Sequence, residues 1–418
     1  MKICVLGAGV IGVSTAYALA RLGHEVTVID KANAVATGAS HANGAQLSYG
    51  YVEPFASPKA LAKLPAYMIG LDPAIRFGVS FNLDYWRWGL KFLENCRPDA
   101  VAQNFSKRVE LALKSRDALA VFENELPPAS LKRTGEGKLV LANSQASFKA
   151  MQSSAQTYET LGLNATCLSP AECVEVEPTL SHWRGTYFGG MYTQTDTALD
   201  PLVYCQSLAA AAQNIWGCRF FFDEEITGLD IRDGSVRGVQ TDKGYHACDA
   251  TIVCLGNGAN RFLTPLGVSV PIYPMQGYSL TLSRQEATPR TSITDLQHKI
   301  VFANLGDKIR IAGFMDANQQ PSKIRKRQHR LLATAQRLWP DIADFEGDIK
   351  FWQGQRPMMP SGVPRIGSTA IKGLHLNVGH GALGYTFAAG SAMMIAEQIG
   401  PAVTHTQPFV QGQTYAVS

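Results

Sequence analysis

Thirty residues at the start of the chain, Met1 to Asp30, constrain the fold more than any other stretch. Lys2-Ile3-Cys4-Val5-Leu6 is a short apolar run with the composition of a buried parallel strand. Gly7-Ala8-Gly9-Val10-Ile11-Gly12 follows without a gap and fits G-x-G-x-x-G. Val13 to Leu22 reads as a helix stopped at Gly23, and Glu25 to Ile29 as a second strand ending on Asp30. In such a unit the first glycine makes the tight turn, the second admits backbone close to a pyrophosphate, and the third lets helix and strand pack closely. Gly7, Gly9 and Gly12 take those places, with Val10 and Ile11 between them. The helix start presents free N–H groups and a positive dipole end to phosphate charge. Asp30, followed by Lys31, lies 18 residues past the last glycine, where an acid accepts hydrogen bonds from an adenosine ribose. A glycine turn alone is an ordinary strand-to-helix connection. Strand, glycines, helix, strand and acid in order imply a dinucleotide site, and the acid argues against a ribose 2′-phosphate. NADP is disfavoured; NAD and FAD stay open.

At 418 residues the chain is long enough for two domains with a large core. A net charge of +4 is small for that length, so no nucleic-acid partner is implied. The eight cysteines form no C-x-x-C pair and no metal-ligand spacing, so no metal site is expected. Cys4 and Cys254 fall inside apolar strand patterns and read as inert core thiols. A strand beginning at residue 2 leaves no room for a signal peptide, which points to the cytoplasm. No window approaches 18 uncharged apolar residues, so no membrane span is expected, while contact with the inner face of the cytoplasmic membrane stays open.

Further along, Thr37 to Gln46 is built of small and turn-forming residues. Such a stretch makes little core but can press backbone N–H groups and short polar side chains against a flat or charged ligand; the alternative is a solvent loop. Lys59–Ile69, Tyr85–Asn95 and Asn104–Glu123 are helix-like by their apolar spacing. Tyr85 to Phe92 mixes aromatics with Arg87 and Lys91, a combination that fits either a core stripe or a membrane interface. Ser169 is a candidate N-cap, with Pro170 at the first helical position and Glu172 at the third. Asp233-Gly234 marks a hairpin between strands Ile226–Arg232 and Ser235–Thr241. A second buried strand, Ala250 to Leu255, runs into Gly256-Asn257-Gly258 and suggests a return to the first sheet. One basic helix, Ser322–Leu338, carries Lys323, Arg325, Lys326, Arg327 and Arg330, read as a solvated face, with acidic lipid as the minor alternative. Gly379-His380-Gly381 is a second glycine turn feeding a helix, and so a second positive dipole end.

The opening turn, Thr37–Ser48, Tyr273-Pro274-Met275-Gln276-Gly277-Tyr278-Ser279, Gly354-Gln355-Arg356-Pro357 and Gly379 to Thr386 occur together and in this order. The combination resembles the FAD-dependent amino-acid oxidoreductases of the D-amino-acid oxidase and glycine oxidase fold, and within them most closely the D-amino acid dehydrogenase small-subunit branch. The resemblance covers nearly the whole chain. It implies an α/β fold: a Rossmann-like FAD-binding domain assembled from separated segments, plus a substrate domain with a mainly antiparallel sheet and helices. Residues 1–58, 196–270 and 351–418 would form the first, and 59–195 and 271–350 the second.

The same resemblance places Gly7, Gly9, Val10, Ile11 and Gly12 at the FAD pyrophosphate, and Asp30 and Lys31 at the adenosine ribose. Ser40, Asn43, Gly44, Gln46 and Leu47 would follow the pyrophosphate and flavin ring. Ile226 and Gly256 would lie toward the adenosine half; Gly381, Leu383, Gly384 and Thr386 would meet the pyrimidine edge. Arg356 matches the arginine that grips a substrate carboxylate, in a turn between Gly354 and Pro357, and Tyr278 would add a hydroxyl or an aromatic wall. Gln276, where many relatives carry lysine, and Ser361, where aspartate is usual, depart from the pattern on the expected substrate side. The activity implied is oxidative deamination of amino acids, D-amino acids first, with FAD bound non-covalently and electrons passed to a quinone or other non-oxygen acceptor. Alternatives are an oxygen-using glycine or imino-acid oxidase, a proline- or hydroxyproline-type dehydrogenase with a partner subunit, an NAD-dependent dehydrogenase, and a non-catalytic flavin-binding subunit.

Overall fold

Both edges of the opening strand are paired. In the computed structural model, which describes residues 1–127, 130–131, 133–317 and 321–402, Lys2–Leu6 lies inside a six-stranded sheet. Its order is Arg365–Ser368, Leu374–Val378, Ala250–Val253, Lys2–Leu6, Glu25–Ile29, Arg219–Phe221. Neighbours run parallel except the first pair. Parallel strands are covered on both faces, which is why Lys2–Leu6 and Ala250–Val253 read as unbroken apolar runs. The expected return holds in register: Ile3 pairs with Ala250 and Leu6 with Val253.

One face of this sheet carries helices Val10–Ala20, Pro201–Trp216 and Gly384–Ile399, packed around Tyr17, Tyr204 and Phe387. The other carries the meander Ile226–Arg232, Ser235–Thr241, Tyr245–Ala247, turned at Asp233-Gly234 as its sequence requires.

The second sheet has nine strands. Its main path runs Lys350–Met358, Tyr273–Ser283, Lys308–Asp316, Ile300–Asn304, Ser292–Asp295, Lys138–Ala142, Gly189–Thr193, Thr166–Leu168, with Ile75–Arg76 added beside Lys308–Asp316. All pairs are antiparallel except Ser292–Asp295 with Lys138–Ala142 and Ile75–Arg76 with Lys308–Asp316. The α/β class with a Rossmann-like sheet and a mainly antiparallel partner is what the sequence implies.

Two segments cross the boundaries drawn from sequence. Strand Lys350–Met358, assigned there to the FAD-binding part from 351 on, pairs along Tyr273–Ser283 in the antiparallel sheet. Helix Pro98–Glu125, from the 59–195 segment, buries Leu119 and Phe122 in the core of the first sheet, with the Phe122 ring 4.8 Å from Tyr17. Apolar patterning shows that a face is buried but not which layer buries it. Residues 403–418 lie outside the described residues.

The helix at Ser169 begins as read: Ser169 caps it and Glu172 returns the bond, with Pro170 at the first position. In helix Leu83–Glu94, Tyr85, Trp88 and Phe92 point inward, and the Trp88 indole donates to the Met358 carbonyl (2.9 Å). Trp86, Leu90 and Leu93 face outward. Among the described residues no helix is long and apolar enough to cross a membrane, and no group of His, Cys, Asp and Glu is arranged to hold a metal.

Candidate active site

A cavity of about 1560 Å³ is walled by residues of both sheets. Gly7, Gly9, Val10, Ile11, Asp30, Lys31, Ser40, Asn43, Gly44, Gln46, Ile226, Gly256, Tyr278, Arg356, Gly381, Leu383 and Gly384 all stand on its wall. Gly12, Leu47 and Thr386 do not. A Cβ at Gly12 would lie 1.7 Å from the Gly7 carbonyl oxygen, so this glycine serves the helix–strand contact. Leu47 is core. The Thr386 hydroxyl accepts from the Ser48 N–H (3.1 Å) and donates to the Gln46 carbonyl (3.4 Å), pinning the wall strand from behind.

At the Gly7 end the wall is mostly backbone. The Val10 N–H donates to Ser40 Oγ (3.0 Å), and no side chain caps the helix at Gly9, so its positive end opens on the cavity. Asp30 is held by two backbone donors, Ala8 N–H at 2.6 Å and Ala32 N–H at 2.8 Å, one on each oxygen. Each carboxylate oxygen keeps a lone pair for a ligand hydroxyl.

Helix Gly384–Ile399 brings a second uncapped N-terminus to the same cavity. Around it several buried polar atoms have no hydrogen-bond partner among the described residues: Asn377 Oδ1, His380 Nε2 and Tyr385 OH, with Asn257 Oδ1 further along the wall. Burial pulls the His380 imidazole down to about 3, so the ring is neutral. Unsatisfied buried polar atoms are rare in native interiors. A wall carrying four of them, between two open helix ends, fits a long polar ligand with an anionic middle and a hydrogen-bonding ring edge.

Arg356 sits on strand Lys350–Met358 opposite Met275, and not in a turn as its Gly-Gln-Arg-Pro context suggests. Its guanidinium lies flat over Gly277, where an added Cβ would come within 2.5 Å of Cζ; only glycine leaves that room. NH1 donates to the Phe314 carbonyl (2.9 Å), and among the described residues no carboxylate pairs with it. Burial lowers its proton affinity from the ordinary arginine value, with Asp316 and Tyr278 acting the other way. A guanidinium stays protonated regardless, so a free charged edge faces the cavity.

Tyr278 is on the wall, but its hydroxyl donates to Asp316 Oδ2 (2.8 Å), which leaves the ring as its contribution. Burial, with Asp316 adding to it, pushes that phenol well above its usual value. Asp316 in turn receives Arg327 on both oxygens, Nε at 2.9 Å and NH2 at 2.7 Å. Arg327 is 2% exposed and also donates to the Pro73 and Ala74 carbonyls. Its reading as part of a solvated basic face is therefore corrected. The signal was present: Arg327, Leu331, Ala335 and Leu338 fall at helical spacing on the buried stripe of helix Ile324–Leu338. Lys138, which opens its strand like a solvent-end residue, was also passed over; it is buried on the cavity wall. Of the two departures from the family pattern, Gln276 is on the wall, whereas Ser361 turns to the Val363 N–H.

Residues 2–398 match the FAD dependent oxidoreductase family, DAO. D-amino acid dehydrogenase of Rhodopseudomonas palustris is 34% identical over 404 residues, 96% of this chain and 94% of the relative. Glycine oxidase from Geobacillus kaustophilus superposes with a TM-score of 0.71 at 19% identity, covering 97% of this chain and 96% of that one. L-proline dehydrogenase from P. horikoshii gives 0.70 at 17%, with 97% and 94% covered. These two likenesses speak for the fold. The backbone-built phosphate end, the paired helix ends and the full-length match lead to one conclusion: the chain belongs to the DAO family of FAD dependent oxidoreductases.

Proposed function

We propose that the protein oxidises α-amino acids, D-amino acids first, to the 2-oxo acid and ammonia, and hands the electrons to a quinone or another non-oxygen acceptor. The observation that carries this reading is Arg356: a half-buried cation on the cavity wall with a free edge and, among the described residues, no carboxylate of its own. Two parallel N–H bonds to a carboxylate fix both position and plane. Gly277 lets the guanidinium lie close to its strand, and the Tyr278 ring, locked by Asp316, stands beside it. Bound FAD supplies the hydride-accepting chemistry. The chain's part is to hold the amino acid's Cα in line, to shut out water, and to keep positive helix ends where negative charge gathers. No protein base is required when the amine binds neutral.

The full-length similarity to D-amino acid dehydrogenases supports the D-stereochemistry. We take the flavin to be non-covalent: of the two nucleophiles the sequence offers beside the ring, His41 is exposed and off the cavity wall, and His380 is buried and neutral in a tight glycine turn. Acid precipitation should leave the yellow colour in the supernatant. Among the described residues, nine of the sixteen large hydrophobic side chains left exposed lie between Leu61 and Leu93, including Ile69, Leu71, Phe81 and Leu90. An apolar patch of that kind supports peripheral contact with a membrane, where a quinone would be met. Co-sedimentation with anionic vesicles tests it, and a Phe81→Ser/Leu90→Ser double variant should stay in the supernatant.

Anaerobic flavin bleaching against D- and L-amino acids, imino acids and glycine tests the reaction. Reduction by D-amino acids, with slow reoxidation in air and fast reoxidation by a soluble quinone, is expected. Bleaching by none of them removes the amino-acid reading. Rapid peroxide formation in air would move the protein to the oxidase class.

A further inference from the structure

Among the described residues, Arg108 and Lys138 are buried on the cavity wall without an ion-pair partner. Arg108 is accounted for. Its three nitrogens donate to the carbonyls of Val52, Gly362 and Glu53, so it ties loops together. Lys138 is different. An ammonium carries three donors, and among the described residues only Ser48 Oγ accepts from it, with the Tyr51 ring beneath it at 5.2 Å. Among the described residues Lys138 forms no ion pair, but the charge of buried Asp196 acts on it through space. One Asp196 carboxylate oxygen accepts from the N–H groups of Tyr49 (2.9 Å) and Gly50 (3.0 Å), and the other has no hydrogen-bond partner there. Burial draws Lys138 down to about 8, so it is still mainly charged at neutral pH. Keeping a lysine charged and two-thirds unpaired inside a protein is costly. Asp196 offsets part of that cost from beyond ion-pair distance, and an anion that comes to rest within reach of the unused donors would offset the rest.

Location identifies the anion. Ser48, which accepts from Lys138, donates its own N–H to Thr386 in the first turn of helix Gly384–Ile399. Lys138 therefore belongs to the ring end of the cavity, behind the Gln46–Leu47 strand, and not to the pyrophosphate end. Hydride transfer moves two electrons and one hydrogen nucleus from substrate Cα to flavin N5. The ring, neutral when oxidised, then carries one negative charge unless a proton follows.

We propose that Lys138 is the fixed countercharge for that negative charge, an electrostatic residue that favours reduction of the bound flavin. The proposal rests on the flavin reading of the cavity but not on which substrate reduces it, so a probe other than an amino acid separates the two. Sulfite adds to N5 of oxidised flavin and leaves the same charge on the ring. In the flavin-loaded protein, Lys138→Met and Lys138→Gln should keep full FAD occupancy and weaken sulfite binding tenfold to a hundredfold, the range expected for losing a bond to a charged group. The two-electron midpoint potential should fall in step, by about 30 mV for each tenfold. Lys138→Arg, which keeps the charge, should stay within about threefold of the parent. Where the Met variant does not fold, the Gln variant, able to keep a hydrogen bond to Ser48, gives the same reading. Unchanged sulfite affinity and potential in a neutral, fully flavin-loaded variant overturn the proposal. So does loss of oxidised flavin from both neutral variants, or a change confined to the substrate KM, because each assigns the charge to something other than the reduced ring.

Discussion

At the Gly7 end the cavity wall is built on one local unit, with Gly7–Ile11 and Asp30–Lys31 joined by Ile226 and Gly256, and the hydrogen bonds within the unit come from backbone N–H groups. At the Arg356 end the wall is drawn from segments hundreds of residues apart, and its contacts are charged side chains: Arg356, Arg327 through Asp316 and Tyr278, and Lys138. The first site is local, so a change that projects only into the cavity, as at Gly9, acts on the ligand and leaves the fold alone, whereas Gly7 and Gly12 are packed against backbone. The second is held by strand pairing and a buried ion pair, so chemistry and stability are entangled.

The largest effect should come from breaking that entanglement at Arg327. Arg327→Met leaves Asp316 buried with, among the described residues, only the Tyr278 hydroxyl, and removing one partner of a buried pair typically costs about 3–5 kcal/mol. The urea midpoint should drop accordingly. A double change, Arg327→Met with Asp316→Leu, should recover a large part of it, because no uncompensated charge remains. A single variant as stable as the parent would show the pair to be ornamental.

Arg356 comes next, and it separates chemistry from folding within the same end. Among the described residues it has no ion-pair partner, so its removal strands no paired carboxylate. Arg356→Lys keeps the charge but loses the planar two-pronged grip. Losing a charge-assisted contact of about 2–4 kcal/mol corresponds to roughly 30- to 1000-fold in kcat/KM. Flavin content and urea midpoint should hold. Arg356→Met should be worse for amino acids and no worse for simple amines, which bring no carboxylate; equal losses on both substrate types would assign Arg356 a structural role.

The contrast also explains what could be read from the sequence. The Gly7–Asp30 unit was legible because its function depends on spacing along one chain segment. The return strand at Ala250 and the cap at Ser169 were legible for the same reason: period and turn chemistry are local. Arg327 and Lys138 were not, because a charged residue at the edge of a pattern looks the same whether solvent or a cavity lies beyond it. Only the pairing of Lys308–Asp316 with Tyr273–Ser283 brings Asp316 under Tyr278 and gives Arg327 its partner. Arg356 was recognised through its neighbours Gly354 and Pro357, yet its place on a strand and its seat on Gly277 came from long-range register.

Gly9 tests the local end. A Cβ there meets only Ser40 Oγ, at 3.5 Å, so Gly9→Ala should fold normally. The methyl would intrude where backbone must approach the pyrophosphate. FAD affinity should fall about tenfold to a hundredfold, read by fluorescence titration of the apoprotein, with the far-UV spectrum unchanged. Undiminished affinity would move the pyrophosphate away from this turn.

His380 gives the smallest effect and joins the two ends, since it sits in the second glycine turn but owes its state to tertiary burial. Its folded proton affinity is depressed from about 6.5 to about 3 by burial, so the native ring is neutral across the working range. As pH falls below about 6.5 the unfolded chain takes up a proton that the native state refuses, and stability is lost progressively down to about pH 3. Between pH 7 and 5 this one group should cost about 2 kcal/mol, from linkage at about 1.4 kcal/mol per unit. Comparing urea unfolding of the flavin-loaded parent with His380→Asn at both pH values isolates the term, because the other titrating groups are common to the two. The parent should lose about 2 kcal/mol more than the variant on going to pH 5. Parallel losses would mean that the imidazole accepts a proton in the native state, and that bound flavin supplies the partner its Nε2 otherwise lacks.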